Sequence, residues 1–353
     1  MPDKRPKVLL ACSQRVHDTY LPPSEVERLE KIADWSWFPC EGGGIYHTNS
    51  KPEDIARLKA EIGKYDALVV ADGCPTIDSG MLDAAPNLKF ICELEGDRFS
   101  TRIDLDAAWA HGVRTVDVTN GSSYPVAEWA LGLILVCLRN GGAFFRQIIA
   151  GNTKRDPAEA ERIKGRLTSK RVGLIGCGHM GRRLIKLLRP FETEIWVHDP
   201  YLPREMAEAL GFVQTSLDNV LSQCDVVVCL VPLTPGTEGM IGTRELDLLQ
   251  PGTVFVNVSR GGVVKSDALI ERLKKNDIFA GLDVFDPEPI PPDNEIIRLP
   301  NVFLSPHVGA RTGDPQPHFF KLMIDELDRY LHGHQTWFDL TPSAKANRLG
   351  KRD

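Results

Sequence analysis

Short apolar runs alternate with segments of helical period along this chain, an alternation that predicts parallel strands joined by covering helices. Residues 7–11, 66–71 and 88–92 read as buried strands, with helical patterns at 24–32, 52–62 and 105–111 between them. A second series follows over about 120–311, with strands at 172–175, 194–198, 225–231 and 254–258, a run entering Asp283, and a last run at 302–304. The most apolar helical pattern, 126–138, opens this second unit, and the amphipathic segment 319–331 is expected to return to the first. The pattern therefore predicts an α/β fold of two doubly wound parallel sheets, with ligands at the carboxyl ends of the strands. Segment 341–353 is polar and weakly patterned, so it is expected to be poorly ordered.

One strand end carries a phosphate-binding pattern. Val172-Gly173-Leu174-Ile175 runs into Gly176-Cys177-Gly178-His179-Met180-Gly181 and then into the helical Arg182–Leu188 stretch, which sets GxGxxG between a strand and a helix. The first glycine permits the tight turn, the second lets backbone approach a pyrophosphate, and the third allows close helix–strand packing. The helix N-terminus then faces the phosphate charge. The next strand, 194–198, ends at Asp199. A carboxylate at that point accepts hydrogen bonds from ribose hydroxyls and repels a 2′-phosphate, so the expected cofactor is NAD rather than NADP.

Three other strand ends carry reactive side chains. Arg260 follows the run 254–258, Glu288 follows Asp283 in Asp283-Val284-Phe285-Asp286-Pro287-Glu288-Pro289, and His307 lies in Ser305-Pro306-His307-Val308-Gly309. Arginine can hold a carboxylate through two parallel hydrogen bonds. Histidine carries a proton near neutral pH, and an adjacent carboxylate orients it and favours its charged form. Singly, each has a plainer reading as a solvated turn arginine, a surface carboxylate or a strand-end histidine. Their combination with a dinucleotide turn favours a reaction centre. The remaining histidines, His17, His47, His111, His318, His332 and His334, show no ligand spacing, and no metal site is expected; His179 and His198 read as neighbours of the cofactor.

With these residues in order, the chain resembles the D-isomer-specific 2-hydroxyacid dehydrogenase family from about Lys7 to about Gly333. Val126-Ala127-Glu128, Val231-Pro232-Leu233-Thr234-Pro235-Gly236-Thr237 and Ser259-Arg260-Gly261 add to the likeness. The resemblance implies a flavodoxin-like substrate domain at 1–119, completed by a C-terminal helix at 319–340, and a Rossmann dinucleotide-binding domain at 120–318, with a cleft between them. It implies NAD-dependent interconversion of a 2-hydroxyacid and a 2-ketoacid by Arg260, Glu288 and His307, the D configuration being a family property. Cofactor contacts would come from Gly176, Gly178, His179, Met180, Gly181, Asp199, Pro232, Thr237, Val258, Ser259, Arg260, Asp283, His307 and Gly309, with Asp283 at the carboxamide end of the nicotinamide. Arg260 and His307 would also meet the substrate. The family is usually homodimeric through the helix beginning near Val126.

The chain departs from the family where the substrate loop should follow the strand 88–92. A Gly-x-Gly segment is usual there, but this chain reads Glu93-Leu94-Glu95-Gly96-Asp97-Arg98-Phe99-Ser100-Thr101-Arg102. Glu95, Gly96, Asp97 and Arg98 are therefore the candidate substrate-loop residues, and Arg98 could read a second anionic group or a polyol. Trp35, Trp37 and Phe38 would wall the pocket or form a buried aromatic cluster.

Composition narrows the classes. A chain of 353 residues exceeds the roughly 250–300 at which single cores stop growing, which favours two domains. With 42 basic and 48 acidic residues and a net charge of −6, it has no basic block suited to nucleic acid. The pattern 126–138 is shorter than the ~20 residues that cross a bilayer, so it reads as a buried helix rather than a membrane anchor. Eight scattered cysteines without a CxxC pair or a secretory leader read as reduced thiols in a cytoplasmic protein. Two other readings stay open: a formate- or phosphite-type dehydrogenase, the formate type being disfavoured because it carries an amide at the Glu288 position, and a non-enzymatic NAD-sensing protein of corepressor type.

Overall fold

The computed structural model describes residues 5–43, 48–95, 102–154, 165–312 and 318–349. The chain divides into two compact units, one built from residues up to Ser122 together with Thr312–Asn347, the other spanning Ser123–Arg311. The sequence placed the boundaries at 119/120 and 318/319.

The first unit holds β1 (Lys7–Cys12), β2 (Asp34–Pro39), β3 (Ala67–Val70), β4 (Phe90–Glu93) and β5 (Arg114–Asp117), all parallel in the order β2-β1-β3-β4-β5. This is the flavodoxin-like order. Its central strands β1 and β3 are apolar on both faces, and Leu9 and Leu10 accordingly fall in separate core clusters. Helix Phe319–Leu331 closes one face with Phe319, Phe320, Met323, Ile324 and Leu327, and Asp325 accepts from Arg28 at 2.7 Å. The spacing of these apolar positions is that of a single helical stripe.

Two strands of this unit escape the sequence pattern. β2 reads as an aromatic run, yet it is a strand whose alternation sends Trp35 and Trp37 to one core cluster and Phe38 to the other. Trp37 donates to the Cys12 carbonyl at 3.2 Å and stacks on His17 at 4.0 Å. β5 is short and begins with the exposed Arg114, which weakens its apolar signature. The expected disorder after residue 340 is also corrected over part of its length: Pro342–Arg348 is a helix, tied by Lys345 to Asp106 at 2.6 Å. Residues 350–353 lie outside the described residues.

The second unit contains β6 (Arg171–Ile175), β7 (Glu194–His198), β8 (Val213–Gln214), β9 (Val226–Cys229), β10 (Val254–Asn257), β11 (Phe279–Leu282) and β12 (Val302–Leu304). They form one parallel sheet in the order β12-β11-β10-β9-β6-β7-β8. Strand order reverses between β6 and β9, the switch point at which open α/β sheets bind ligands.

Helix Ser123–Leu138 packs on β10 and β11. It approaches so closely that a Cβ on Gly281 would meet Cys137 Sγ at 3.0 Å and Leu133 Cβ at 3.1 Å. With its preceding turn from Thr119 this helix is 20 residues long, more than the sequence pattern allowed and enough by length and composition to cross a bilayer. Its inner face nevertheless belongs to the core of the second unit through Ala127, Ala130, Leu133 and Ile134.

Candidate active site

The glycine turn has the geometry that a dinucleotide needs. Gly176 sits at φ +91°, and a Cβ there would press on Val231 Cγ1 at 2.8 Å. Gly181 lies where a Cβ would meet the Gly176 carbonyl at 3.0 Å, so helix and strand pack without a side chain between them. Gly178 faces open space, with nothing within 4 Å of an added Cβ. Helix His179–Leu188 starts directly after it, and Gly178 supplies no side-chain cap to the first amides. Those amides suit a pyrophosphate.

Asp199 stands at the end of β7 beside this turn, because Ile175 and His198 are in register. Its carboxylate accepts from Cys177 N at 2.9 Å and from Tyr201 N at 3.0 Å. One bond to each oxygen leaves further lone pairs for ribose hydroxyls. Burial, and then the Asp199 charge, push the Cys177 thiol up to about 12, so this cysteine stays protonated and inert.

Register also gathers the candidate catalytic loops. Asn257 pairs with Leu282 and Leu282 with Leu304, so β10, β11 and β12 end side by side. Arg260, Asp283 and Ser305 follow within three residues of those ends. Glu288 Oε1 lies 2.5 Å from His307 Nδ1, with the two side chains about one-third exposed. That contact leaves Nε2 as the ring nitrogen to face a reactant. Arg260 is half-buried and donates through Nη1 to the Ser259 carbonyl at 2.8 Å. Gly261 is required next to it, since a Cβ would coincide with the Phe285 carbonyl at 1.8 Å.

Several expected cofactor residues have local duties. Asp283 is buried, and its carboxylate accepts from Ser305 Oγ at 2.6 Å, Trp129 Nε1 at 3.2 Å, Val308 N at 3.0 Å and Gly309 N at 2.9 Å. It therefore organises the His307 loop, a role absent from the sequence reading. Ser259 is buried and donates to Asn257 Oδ1 at 2.9 Å, while Val258 belongs to the core. Thr237 Oγ1 closes its turn on the Pro232 carbonyl at 2.5 Å. Met180 packs against the core and His179 is the first residue of the helix. Trp129 and Ser305, which meet Asp283 here, are not singled out by the sequence. An indole one position after Glu128 on an apolar helix reads as core, and only the tertiary structure reveals its donor contact.

In the first unit the end of β4 is crowded with charge. Arg102 is buried and donates to Glu93 Oε1 at 2.8 Å and to the Glu95 carbonyl at 2.9 Å. Glu95, expected to face substrate, is buried too; it accepts from Arg15 at 3.0 Å and from the Tyr20 hydroxyl. Arg15 also reaches Asp72 at 3.1 Å. Burial and the Glu95 charge push the Tyr20 phenol up, keeping it a donor. Gly96, Asp97 and Arg98 lie outside the described residues, as does His47.

Residues 131–309 match the family profile described as D-isomer specific 2-hydroxyacid dehydrogenase, NAD binding domain. The D-3-phosphoglycerate dehydrogenase of Methanocaldococcus jannaschii is 34% identical over 298 residues, covering 83% of this chain and 55% of that protein. This chain thus spans about half the length of the phosphoglycerate dehydrogenases it matches. The mitochondrial formate dehydrogenase of Solanum tuberosum is 30% identical over 304 residues, covering 84% of this chain and 78% of that one. Among solved structures, a glyoxylate reductase from Paecilomyes thermophila superposes with a TM-score of 0.74 at 25% identity, covering 97% of this chain and 99% of that one. A phosphoglycerate oxidoreductase from Rhizobium etli gives 0.79 at 22% identity, covering 95% and 98% respectively, a likeness of fold. The matched domain, with the glycine turn and Asp199, makes NAD the cofactor.

Proposed function

Because the chain belongs to the D-isomer specific 2-hydroxyacid dehydrogenase family, we propose that it interconverts a D-2-hydroxyacid and a 2-ketoacid with NAD as the hydride carrier. The observation that carries this reading is the 2.5 Å contact between Glu288 and His307 at a strand end of the cofactor-binding unit. Bound NAD supplies the nicotinamide that gives or takes hydride. Gly176, Gly178, His179, Met180, Gly181 and Asp199 would hold its phosphate and ribose portions, with Pro232, Thr237, Val258, Ser259, Asp283 and Gly309 along the remainder. Arg260 holds the substrate carboxylate and the reacting oxygen through its planar fork. Protonated His307 gives its Nε2 proton to that oxygen during reduction, and neutral His307 removes the hydroxyl proton during oxidation. Glu288 orients the ring through Nδ1 and opposes its positive charge. A carboxylate there, where the formate type carries an amide, favours an acid–base role over formate oxidation.

We assign the substrate contacts beyond Arg260 and His307 to Gly96, Asp97 and Arg98, since Glu95 is enclosed by Arg15 and Tyr20. The protein acts as a homodimer in the cytoplasm. Helix Gly141–Ile149 leaves Phe145, Ile148 and Ile149 between 61% and 70% exposed, an apolar stretch suited to a second copy, and the eight cysteines are free and buried. The test is NADH oxidation with a panel of 2-ketoacids, followed by chiral analysis of the product. Turnover giving the D-hydroxyacid supports the proposal, whereas NADH binding without turnover on any ketoacid supports the sensor reading.

A further inference from the structure

His307 adopts a left-handed backbone at φ +51° without being glycine. That conformation is disfavoured for a residue with a Cβ, so something must hold it. Three successive amides show what does: His307 N donates to the Asp283 carbonyl at 2.8 Å, Val308 N to Asp283 Oδ1 at 3.0 Å and Gly309 N to Oδ2 at 2.9 Å. The Val308 and Gly309 amides turn together toward the carboxylate as a small anion nest, while the His307 amide meets the Asp283 backbone carbonyl. The nest works only while the Asp283 carboxylate keeps its place.

Two side chains fix that place. Ser305 donates to Asp283 Oδ1 at 2.6 Å, and the Trp129 indole donates to both Ser305 Oγ at 3.1 Å and Asp283 Oδ1 at 3.2 Å. Trp129 also bears on the loop directly, since a Cβ on Gly309 would meet its Cδ1 at 3.2 Å. The indole belongs to helix Ser123–Leu138, which is packed into the core. A rigid helix thereby reaches the strand end through one N–H.

We propose that Trp129, acting through Ser305 and Asp283, is a positioning residue that holds His307 in its left-handed conformation and in contact with Glu288. The proposal rests on the function above for its kinetic consequence but not for its structural one. Trp129→Phe keeps the ring and removes the donor. In this variant kcat for ketoacid reduction should fall about ten- to a hundredfold, the scale on which a misplaced catalytic group loses rate, while ketoacid KM and NADH Kd stay within about threefold. Ser305→Ala should act in the same way. The Trp129→Phe and Ser305→Ala double variant should lose less than the product of the two single losses, because both donors serve one carboxylate.

An arm independent of turnover uses 13Cε1-labelled histidine, with the His307 cross-peak identified by its absence in His307→Ala. The Trp129→Phe variant should shift or broaden that cross-peak and leave the His111 and His332 cross-peaks in place. A kcat loss with steady KM and Kd, together with the moved cross-peak, supports the proposal. Unchanged kcat with an unmoved cross-peak overturns it, and so does a kcat loss accompanied by collapse of NADH binding, which would assign the network to the cofactor. If the parent turns over no ketoacid, the assigned function fails while the cross-peak still decides the positioning role.

Discussion

The carboxyl ends of the two sheets use charge in opposite ways. At the end of β4, Glu93 and Arg102 are buried against each other, and Glu95 is enclosed by Arg15 and Tyr20. Charge there holds the unit's own loops. At the ends of β10, β11 and β12 only Asp283 is buried in this manner, while Glu288 and His307 remain about one-third exposed and meet through a single contact. The difference teaches that a charged strand end is not by itself a reaction centre. What marks one is a titratable pair with one face satisfied and another left toward solvent.

The sharpest way to break this comparison is to remove a member of each group. His307→Ala should lower kcat for ketoacid reduction by about two to four orders of magnitude with little change in melting temperature, as measured by steady-state kinetics and calorimetry. Arg102→Leu should do the converse. Removing one partner of a buried pair costs about 3–5 kcal/mol, which lowers Tm by about 6–20 °C. If Arg102→Leu melts like the parent, the β4 edge is not held by its charges.

Smaller effects sharpen the second unit. Arg260→Lys keeps the charge and loses the fork, so ketoacid KM should rise by about thirtyfold while NADH affinity changes much less. A collapse of NADH binding with constant KM would place Arg260 in the cofactor site alone. Asp199→Ala should weaken NADH binding by about tenfold and narrow the preference over NADPH. Equal kcat/KM for both cofactors in the parent would remove the assigned role of Asp199.

The two edges also differ in how much of them can be read from residues alone. Among the described residues, the alternation of buried runs and helical patterns marks nine of the twelve strands, and β2, β5 and β8 escape it because they are edge strands, very short, or only partly buried. The glycine turn and Asp199 are legible because each residue type answers a local steric or electrostatic demand. Glu288 and His307 are legible as candidates, and the parallel register then brings them together. Glu95 is less so: nothing local distinguishes a carboxylate facing a ligand from one enclosed by an arginine and a phenol. Trp129 and Ser305 carry no local signal either, since their contacts with Asp283 span 154 and 22 positions of sequence.

The central claim is that Glu288 and His307 act as one acid–base pair, and a double-variant cycle on kcat for ketoacid reduction tests it most directly. Glu288 meets the ring through Nδ1 at 2.5 Å and acts on the reactant only through it. Glu288→Gln alone should therefore lower kcat, whereas Glu288→Gln added to His307→Ala should lower it no further, since no imidazole is left to orient. Losses that multiply in the double variant, or a Glu288→Gln variant as fast as the parent, would contradict the account, because the contact at 2.5 Å would then have no part in the proton transfer.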